Sequence, residues 1–225
     1  IGHVSAWSFC QDKIITTGGE GGMVTTNDYS LWSSMWSYKD HGKSWDAVHN
    51  KKHPPGFRFV HESFGTNWRM TEMQAAIGRV QLTYMKEWTV KRRANADAIW
   101  NVAKKFSNLR VPKVNCLGCN GDCDADNGCV HAAYKCYVFV EGTEDDRNKL
   151  MAEINDRGVP CTAGSCSEVY LEKAFAKTVF RPKTRLPNAK LLGETSLMFM
   201  CHPTLASDEI NQTCEALETA AFKCL

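Results

Sequence analysis

Residues 8–22 have the sequence SFCQDKIITTGGEGG, in which Lys13 follows Ser8 by five positions and leads into four glycines. A desolvated lysine amine can form a Schiff base with an aldehyde, and the aldehyde cofactor that uses such lysines carries a phosphate. The Ser8 hydroxyl is a suitable donor for that phosphate. The glycines permit a tight turn and a close approach of the backbone to a ligand or a second subunit. The stretch predicts a lysine beside an anion site; the alternative is a hairpin with a solvated Lys13.

The stretch resembles the Ser-Phe-x-x-x-Lys and Gly-Glu-Gly-Gly signature of the DegT/DnrJ/EryC1/StrS family of fold-type-I, pyridoxal-phosphate-dependent sugar aminotransferases. Residues 65–70, GTNWRM, are similar to the Gly-x-Asn-(aromatic)-Arg-Met of that family. Three further matches are Gly158-Val159-Pro160, Gly164-Ser165-Cys166-Ser167-Glu168 and His202-Pro203-Thr204-Leu205. The resemblance implies an α/β fold. We expect the C-terminal part of a large domain with a mixed, mainly parallel sheet, followed by a small α+β domain.

The resemblance implies a role for three residues around pyridoxal 5'-phosphate. Lys13 corresponds to the lysine that holds the cofactor as a Schiff base and then shuttles a proton. Ser8 corresponds to the serine that binds the cofactor phosphate. Asn67 corresponds to an asparagine that reaches the phosphate of the neighbouring subunit, so a homodimer is expected.

Arg69 and His202 are candidate substrate-binding residues. The planar guanidinium of Arg69 suits a bidentate pair with the carboxylate of the amino donor or with the cofactor phosphate, and the alternative is an ordinary salt bridge. His202 matches a histidine-proline of the family's C-terminal domain, and it either lines the pocket or is a satisfied core histidine. Glu168 and Tyr170 are weaker candidates for the acceptor site.

The activity that the resemblance implies is a ping-pong transfer of an amino group, with glutamate as the usual donor and a keto-sugar, usually nucleotide-linked, as acceptor. Such amino sugars feed polysaccharide and antibiotic biosynthesis. Some relatives lack the lysine and dehydrate their substrate instead, so the presence of Lys13 favours transamination. The alternative function is a non-catalytic binding or regulatory protein with the same fold, whose cysteine-rich loop is a metal-stabilised contact surface.

Length and charge exclude some other classes of function. The chain has 225 residues, of which 43% are hydrophobic, so it can bury a core. A net charge of +2 gives no argument for nucleic acid or an anionic membrane surface. The sequence has no membrane-spanning run and no signal-peptide pattern, which predicts a cytoplasmic protein. Because the chain starts close to Lys13, we expect it to be N-terminally incomplete and to lack several cofactor contacts of the family.

A long helix is expected to join two domains. Thr71 and Gln74 fit a capping box, and apolar residues recur beyond them at spacings of three and four, from Met73 to Trp88. The helical pattern continues to about Phe106. We therefore predict that residues 1–90 belong to the cofactor-binding domain with the start of this helix, and that 91–225 form the small domain.

The cysteine-rich insertion at residues 114–130 does not resemble the family. It contains four cysteines within fourteen residues, Cys116, Cys119, Cys123 and Cys129. The first two form a C-x-x-C pair, and four thiolates would complete a tetrahedral zinc site. The second half lacks another C-x-x-C, so paired or free thiols are the alternative. Alternating aspartates suggest calcium only superficially, because no glutamate occupies the twelfth loop position.

Overall fold

The computed structural model describes residues 2–112 and 131–225, and these divide into two compact units. The first unit ends at Met85, and the second is Lys86–Leu225. The sequence predicts a junction at 90/91 as a domain boundary, and that assignment stays a prediction.

The first unit begins with a two-stranded hairpin. Strands β1 (Ser5–Ser8) and β2 (Gly22–Thr25) pair antiparallel, with Ser8 opposite Gly22, so the lysine motif forms the connection between them. Every strand pair among residues 2–112 and 131–225 is antiparallel, so the parallel strands expected for the large sheet are not found there.

Helix α1 (Tyr29–Lys39) follows the hairpin, and its N-cap Asp28 accepts a hydrogen bond from the Leu31 amide. Helix α2 (Trp45–His49) is a single short turn capped by Ser44. The sequence assigns 40–59 to a loop, and the structure differs at α2 because the Ser44 cap and the stacked rings of Trp45 and His49 stabilise five helical residues.

Helix α3 (Glu72–Ala103) begins in the first unit and ends in the second. The predicted capping box is confirmed: the Thr71 amide donates to Gln74 Oε1 at 2.9 Å, and the Gln74 amide donates to Thr71 Oγ1 at 3.3 Å. The apolar residues of its first turns are exposed in the described chain, with Met73 at 76% and Val80 at 59%.

The second unit is built on one four-stranded antiparallel sheet. Its strands are β3 (Leu109–Arg110), β4 (Cys136–Val140), β5 (Cys161–Thr162) and β6 (Ser196–Phe199), in the spatial order β3-β4-β6-β5. The order places the last strand between two earlier ones. The two-residue strands β3 and β5 are each too short to show an alternation of their own.

Three further helices complete the second unit: α4 (Glu144–Asp156), α5 (Pro187–Thr195) and α6 (Ser207–Cys224). Thr143 caps α4 in a reciprocal capping box with Asp146. Between β5 and α5 the chain forms two 3-10 turns, Val169–Leu171 and Lys173–Phe175. Helix α5 starts at Pro187, a residue favoured at the first helical position, and was not predicted.

The hydrophobic core lies in the second unit. Phe199, Leu197, Ile99, Leu150 and Leu217 are all 0% exposed and bring the sheet together with α3, α4 and α6. In the described part of the first unit, only Ala47 and Val60 are buried hydrophobic residues. Among the described residues, no helix combines the length and hydrophobicity needed to cross a membrane.

Candidate functional site

The loop that carries Lys13 is closed by backbone hydrogen bonds at both ends. The Phe9 amide donates to Gly21 O at 2.8 Å, and the Thr17 amide donates to Phe9 O at 3.1 Å. Within the loop, the Lys13 amide donates to Cys10 O at 3.1 Å, which forms a turn. Lys13 therefore stands at a defined position of the chain.

The backbone of Cys10 hydrogen-bonds to both Ser8 and Lys13. The Cys10 amide donates to Ser8 Oγ at 3.4 Å, and the Cys10 carbonyl accepts the Lys13 amide. Lys13 Nζ donates to Asp12 Oδ1 at 2.8 Å, and its side chain is 34% exposed. Cys10 Sγ also donates to Asp12 Oδ1, at 2.9 Å. The lysine amine is thus held by a neighbouring carboxylate yet remains reachable from solvent.

Two glutamines of α3 hold the Lys13 loop from the helix side. Gln81 Oε1 accepts the Thr16 amide at 2.7 Å, and Gln74 Nε2 donates to Glu20 O at 2.8 Å. Gly78 lies between them, where a Cβ would come within 2.9 Å of Thr17 Cγ2. No local sequence pattern reveals these contacts, although the seven-residue spacing of the glutamines places both on one helix face.

Asn67 and Arg69 lie on a second segment of the first unit. Asn67 forms an antiparallel bridge with Asp40, and its side chain is exposed. Arg69 Nη1 donates to Asp40 Oδ1 at 2.7 Å, while 45% of the Arg69 side chain stays exposed. Part of the guanidinium is therefore engaged by a carboxylate of the same unit. Its predicted substrate role stays a prediction.

Asp40 is a nearly buried carboxylate surrounded by three cations. Only 8% of the residue is exposed, and Lys43 Nζ and Lys39 Nζ lie 3.2 and 3.5 Å from its oxygens, in addition to Arg69. Burial alone would raise the pKa of Asp40, but hydrogen bonds from Lys43 and Arg69 outweigh it and lower the pKa. The carboxylate is therefore ionised at neutral pH.

His202 lies in the second unit and is bonded locally. The Thr204 amide donates to His202 Nδ1 at 3.3 Å, and Thr204 Oγ1 lies 2.7 Å from the same nitrogen. The side chain of buried Asn95 donates to the His202 carbonyl at 3.1 Å. Burial, together with the charge of Arg92, lowers the pKa of His202. The imidazole is thus neutral at pH 7, with Nδ1 as the acceptor. Its predicted role in substrate binding stays a prediction.

Glu168 and Arg185 form a bidentate ion pair in the second unit. Arg185 binds Glu168 through both Nε and Nη2, and the Tyr170 hydroxyl donates to Glu168 Oε1 at 2.5 Å. Hydrogen bonds from Arg185 and Tyr170 lower the pKa of Glu168 to about 2. Glu168 and Arg185 line a cavity of about 580 Å³ with Ser165, Ser167 and Lys173.

The first unit contains a larger groove of about 1040 Å³, which Lys13 does not line. Its walls are mainly apolar and aromatic, with Arg69 and Lys39 at the polar side; the aromatic lining residues are Trp7, Trp32, Trp36, Tyr38 and Trp68.

The four cysteines proposed as zinc ligands, Cys116, Cys119, Cys123 and Cys129, lie outside the described residues. Within residues 2–112 and 131–225, no group of three or more His, Cys, Asp or Glu side chains is arranged to hold a metal ion.

These hydrogen-bond donors and the Lys13 amine fit a phosphorylated aldehyde. Lys13 supplies a reachable primary amine, and Ser8 accepts from Cys10, so its hydroxyl proton can be donated elsewhere. Asn67 offers an exposed amide with two donor hydrogens. An amine with neutral hydroxyl and amide donors matches what an aldehyde and a phosphate require.

Comparison with known proteins gives a consistent set of matches. The family model for the DegT/DnrJ/EryC1/StrS aminotransferase family matches residues 1–218. The X-ray structure of an aminotransferase from Psychrobacter cryohalolentis superposes with a TM-score of 0.90 at 55% sequence identity, covering 100% of this chain and 57% of that one.

Two curated relatives illustrate the sequence matches. GDP-perosamine synthase from Escherichia coli O157:H7 is 27% identical over 209 residues, which are 89% of this chain and 50% of the relative. UDP-N-acetyl-3-dehydro-alpha-D-glucosamine 3-aminotranferase from Acidithiobacillus ferrooxidans is 32% identical over 217 residues, 93% of this chain and 48% of the relative. The chain thus spans about half the length of the curated relatives it matches.

Proposed function

This chain belongs to the DegT/DnrJ/EryC1/StrS aminotransferase family, and we propose that it serves a pyridoxal-phosphate-dependent transfer of an amino group to a keto-sugar. The observation that carries the proposal is the Lys13 loop. Its amine is reachable from solvent, and Cys10 hydrogen-bonds to both Ser8 and the Lys13 amide. Backbone hydrogen bonds of Phe9 close the loop, and Gln81 of α3 holds it at Thr16.

We assign each residue a task in that reaction. Lys13 Nζ holds the cofactor covalently and, once released, carries the proton away from the α-carbon of the amino donor. When bound, pyridoxal phosphate supplies the electron sink for the departure of that proton. Ser8 donates its hydroxyl to the phosphate. Asp12 Oδ1 lies 2.8 Å from Lys13 Nζ and keeps the amine oriented while Lys13 is not linked to the cofactor.

The two substrates are proposed from the family and its members. Both curated relatives described above are named for nucleotide-linked sugars, which supports a nucleotide-linked keto-sugar as the acceptor. Glutamate is proposed as the donor, and the two half-reactions at one site require ping-pong order. Arg69 is assigned to the donor carboxylate or to the phosphate, and His202 to the acceptor pocket.

We propose a homodimer in which Asn67 reaches the cofactor phosphate of the second subunit. Large apolar side chains on the first unit support an extensive interface, since Phe57, Phe59 and Phe64 are between 81% and 99% exposed. An exposed Asn67 is compatible with a contact across that interface. The enzyme is proposed to act in the cytoplasm.

The test is a spectrum of the complete gene product with added pyridoxal phosphate, compared with its Lys13→Ala variant. Wild type should show the visible band of lysine-bound cofactor, borohydride should fix the cofactor on the Lys13 peptide, and glutamate should bleach the band. Lys52→Ala is the matched control, because Lys52 is an exposed lysine outside the loop, and it should behave as wild type.

Two results would contradict the proposal in different ways. A band that persists in Lys13→Ala would exclude Lys13 as the anchor. No band in wild type would favour the non-catalytic binding or regulatory protein, and a zinc analysis of the cysteine-rich segment would then be the next measurement.

A further inference from the structure

We propose that Asp40 is a positioning residue that holds Asn67 in the orientation needed to bind the cofactor phosphate. The inference rests on the proposed function, since it takes Asn67 as a phosphate ligand. It adds a residue to the site that neither the sequence pattern nor the family resemblance identified.

The backbone places Asp40 and Asn67 directly opposite each other. Residues 38–41 pair with residues 66–68 through three N–H···O hydrogen bonds of 2.7 to 2.9 Å, and Asp40 and Asn67 are partners in the antiparallel bridge. Opposed residues of an antiparallel pair have their Cα atoms only about 4.5–5.5 Å apart. A shift of either segment therefore moves Asn67.

Two glycines allow these segments to come so close. A Cβ on Gly65 would lie 2.4 Å from Gly42 N and 2.6 Å from Tyr38 O, distances that real Cβ atoms do not reach. Gly42 has a φ of +80°, and a Cβ there would lie 1.7 Å from Ser63 O. The contact surface is backbone against backbone, so the segment of Asn67 has little freedom to move as long as the pairing persists.

The Asp40 carboxylate adds ion pairs to this backbone pairing. Arg69 is two residues beyond Asn67 on the same segment, and its Nη1 donates to Asp40 Oδ1 at 2.7 Å. This ion pair fixes the segment on the C-terminal side of Asn67. Lys39 and Lys43 anchor the same carboxylate from its own segment, at 3.5 and 3.2 Å. Without the carboxylate, three cations would converge with no counter-charge, and repulsion would push the segments apart.

Asp40 acts through Asn67 and not on the ligand itself. Its side chain is only 11% exposed, and its oxygens are occupied by Lys39, Lys43 and Arg69. A buried carboxylate would in addition repel a phosphate. Asn67, by contrast, presents its side chain to the exterior.

The test compares two ligands on the complete gene product: pyridoxal phosphate, and pyridoxal, which lacks the phosphate. Asp40→Asn should raise the dissociation constant of pyridoxal phosphate about tenfold, equivalent to about 1.4 kcal/mol, and leave that of pyridoxal unchanged. Asn67→Ala should have the same pattern. The double variant should lose no more than either single one, because both remove one interaction.

Controls separate positioning from general destabilisation. Asp46→Asn removes the charge of an exposed aspartate that accepts from Asn50 Nδ2 at 3.0 Å and lies 3.6 Å from Lys51 Nζ. Neither partner contacts Asp40 or Asn67 in those interactions, so this variant should bind both ligands as wild type does. If Asp40→Asn fails to fold, Lys43→Met provides the milder change, with about a threefold loss for pyridoxal phosphate alone.

The outcomes distinguish this inference from the proposed function. Equal affinity of wild type and Asp40→Asn for pyridoxal phosphate would overturn the inference and leave the function intact. Equal weakening of both ligands would also overturn it, because a merely structural role does not discriminate the phosphate. Wild type that binds neither ligand would overturn the function and the inference with it.

Discussion

Replacing Gln81 by Met should loosen the Lys13 loop without disturbing the helix that carries it. Gln81 Oε1 accepts the Thr16 amide at 2.7 Å, and methionine has nearly the same length and helix propensity but accepts no comparable hydrogen bond. The half-buried Thr16 amide would then lack its partner. The loop should open locally while the rest of the molecule stays folded.

The magnitude follows from the environment of the Thr16 amide. A typical hydrogen bond contributes about 0.5–1.5 kcal/mol net, and an unsatisfied buried donor costs about 1–3 kcal/mol. Thr16 is only partly buried, so we expect about 1.4 kcal/mol, which corresponds to a tenfold faster exchange of its amide hydrogen. Hydrogen exchange read by NMR or by mass spectrometry of peptides covering 9–21 measures this directly.

The control is Gln212→Met on α6. Gln212 makes a 3.4 Å contact with Arg157 O at an exposed position, so its removal should leave exchange in the Lys13 loop unchanged. If the Thr16 amide exchanges at the wild-type rate in Gln81→Met, the Gln81 hydrogen bond does not hold the loop, and Gln74 and the hairpin must be sufficient.

Two further predictions concern the second unit. Phe199→Ala should lower the free energy of unfolding in urea by about 3–5 kcal/mol, because the Phe199 side chain is 0% exposed in the sheet. The control Phe222→Ala removes a side chain that is 77% exposed and should cost far less. Similar losses in both variants would contradict the assignment of the core. Hydrogen bonds from Arg185 and Tyr170 lower the pKa of Glu168 from 4.5 to about 2. The ionised carboxylate therefore contributes its full stabilisation above about pH 4.5, and this contribution is lost as the pH falls through about 2. The melting temperature should therefore fall less steeply over that window in Glu168→Gln than in wild type or in Glu172→Gln, and parallel profiles would contradict the assignment.

Local sequence chemistry predicted much of the secondary structure. The capping boxes of Thr71 with Gln74 and of Thr143 with Asp146 are both present, because each depends on residues three positions apart. The glycines after Lys13 similarly indicated a connection between two strands. Short elements show no period of their own: α2 contains five residues, and β3 and β5 contain two each.

The sequence by itself determined the family, the lysine motif and the helices that begin with their own caps, since all of these depend on neighbouring residues. Only the tertiary structure decided that Gln81 accepts from Thr16, 65 positions away, and that Asp40 pairs with Arg69, 29 positions away. Hydrogen bonds and ion pairs of this kind depend on distances in space that no local pattern encodes. The environment of the predicted site residues is therefore a property of the fold, while their chemical identity is a property of the sequence.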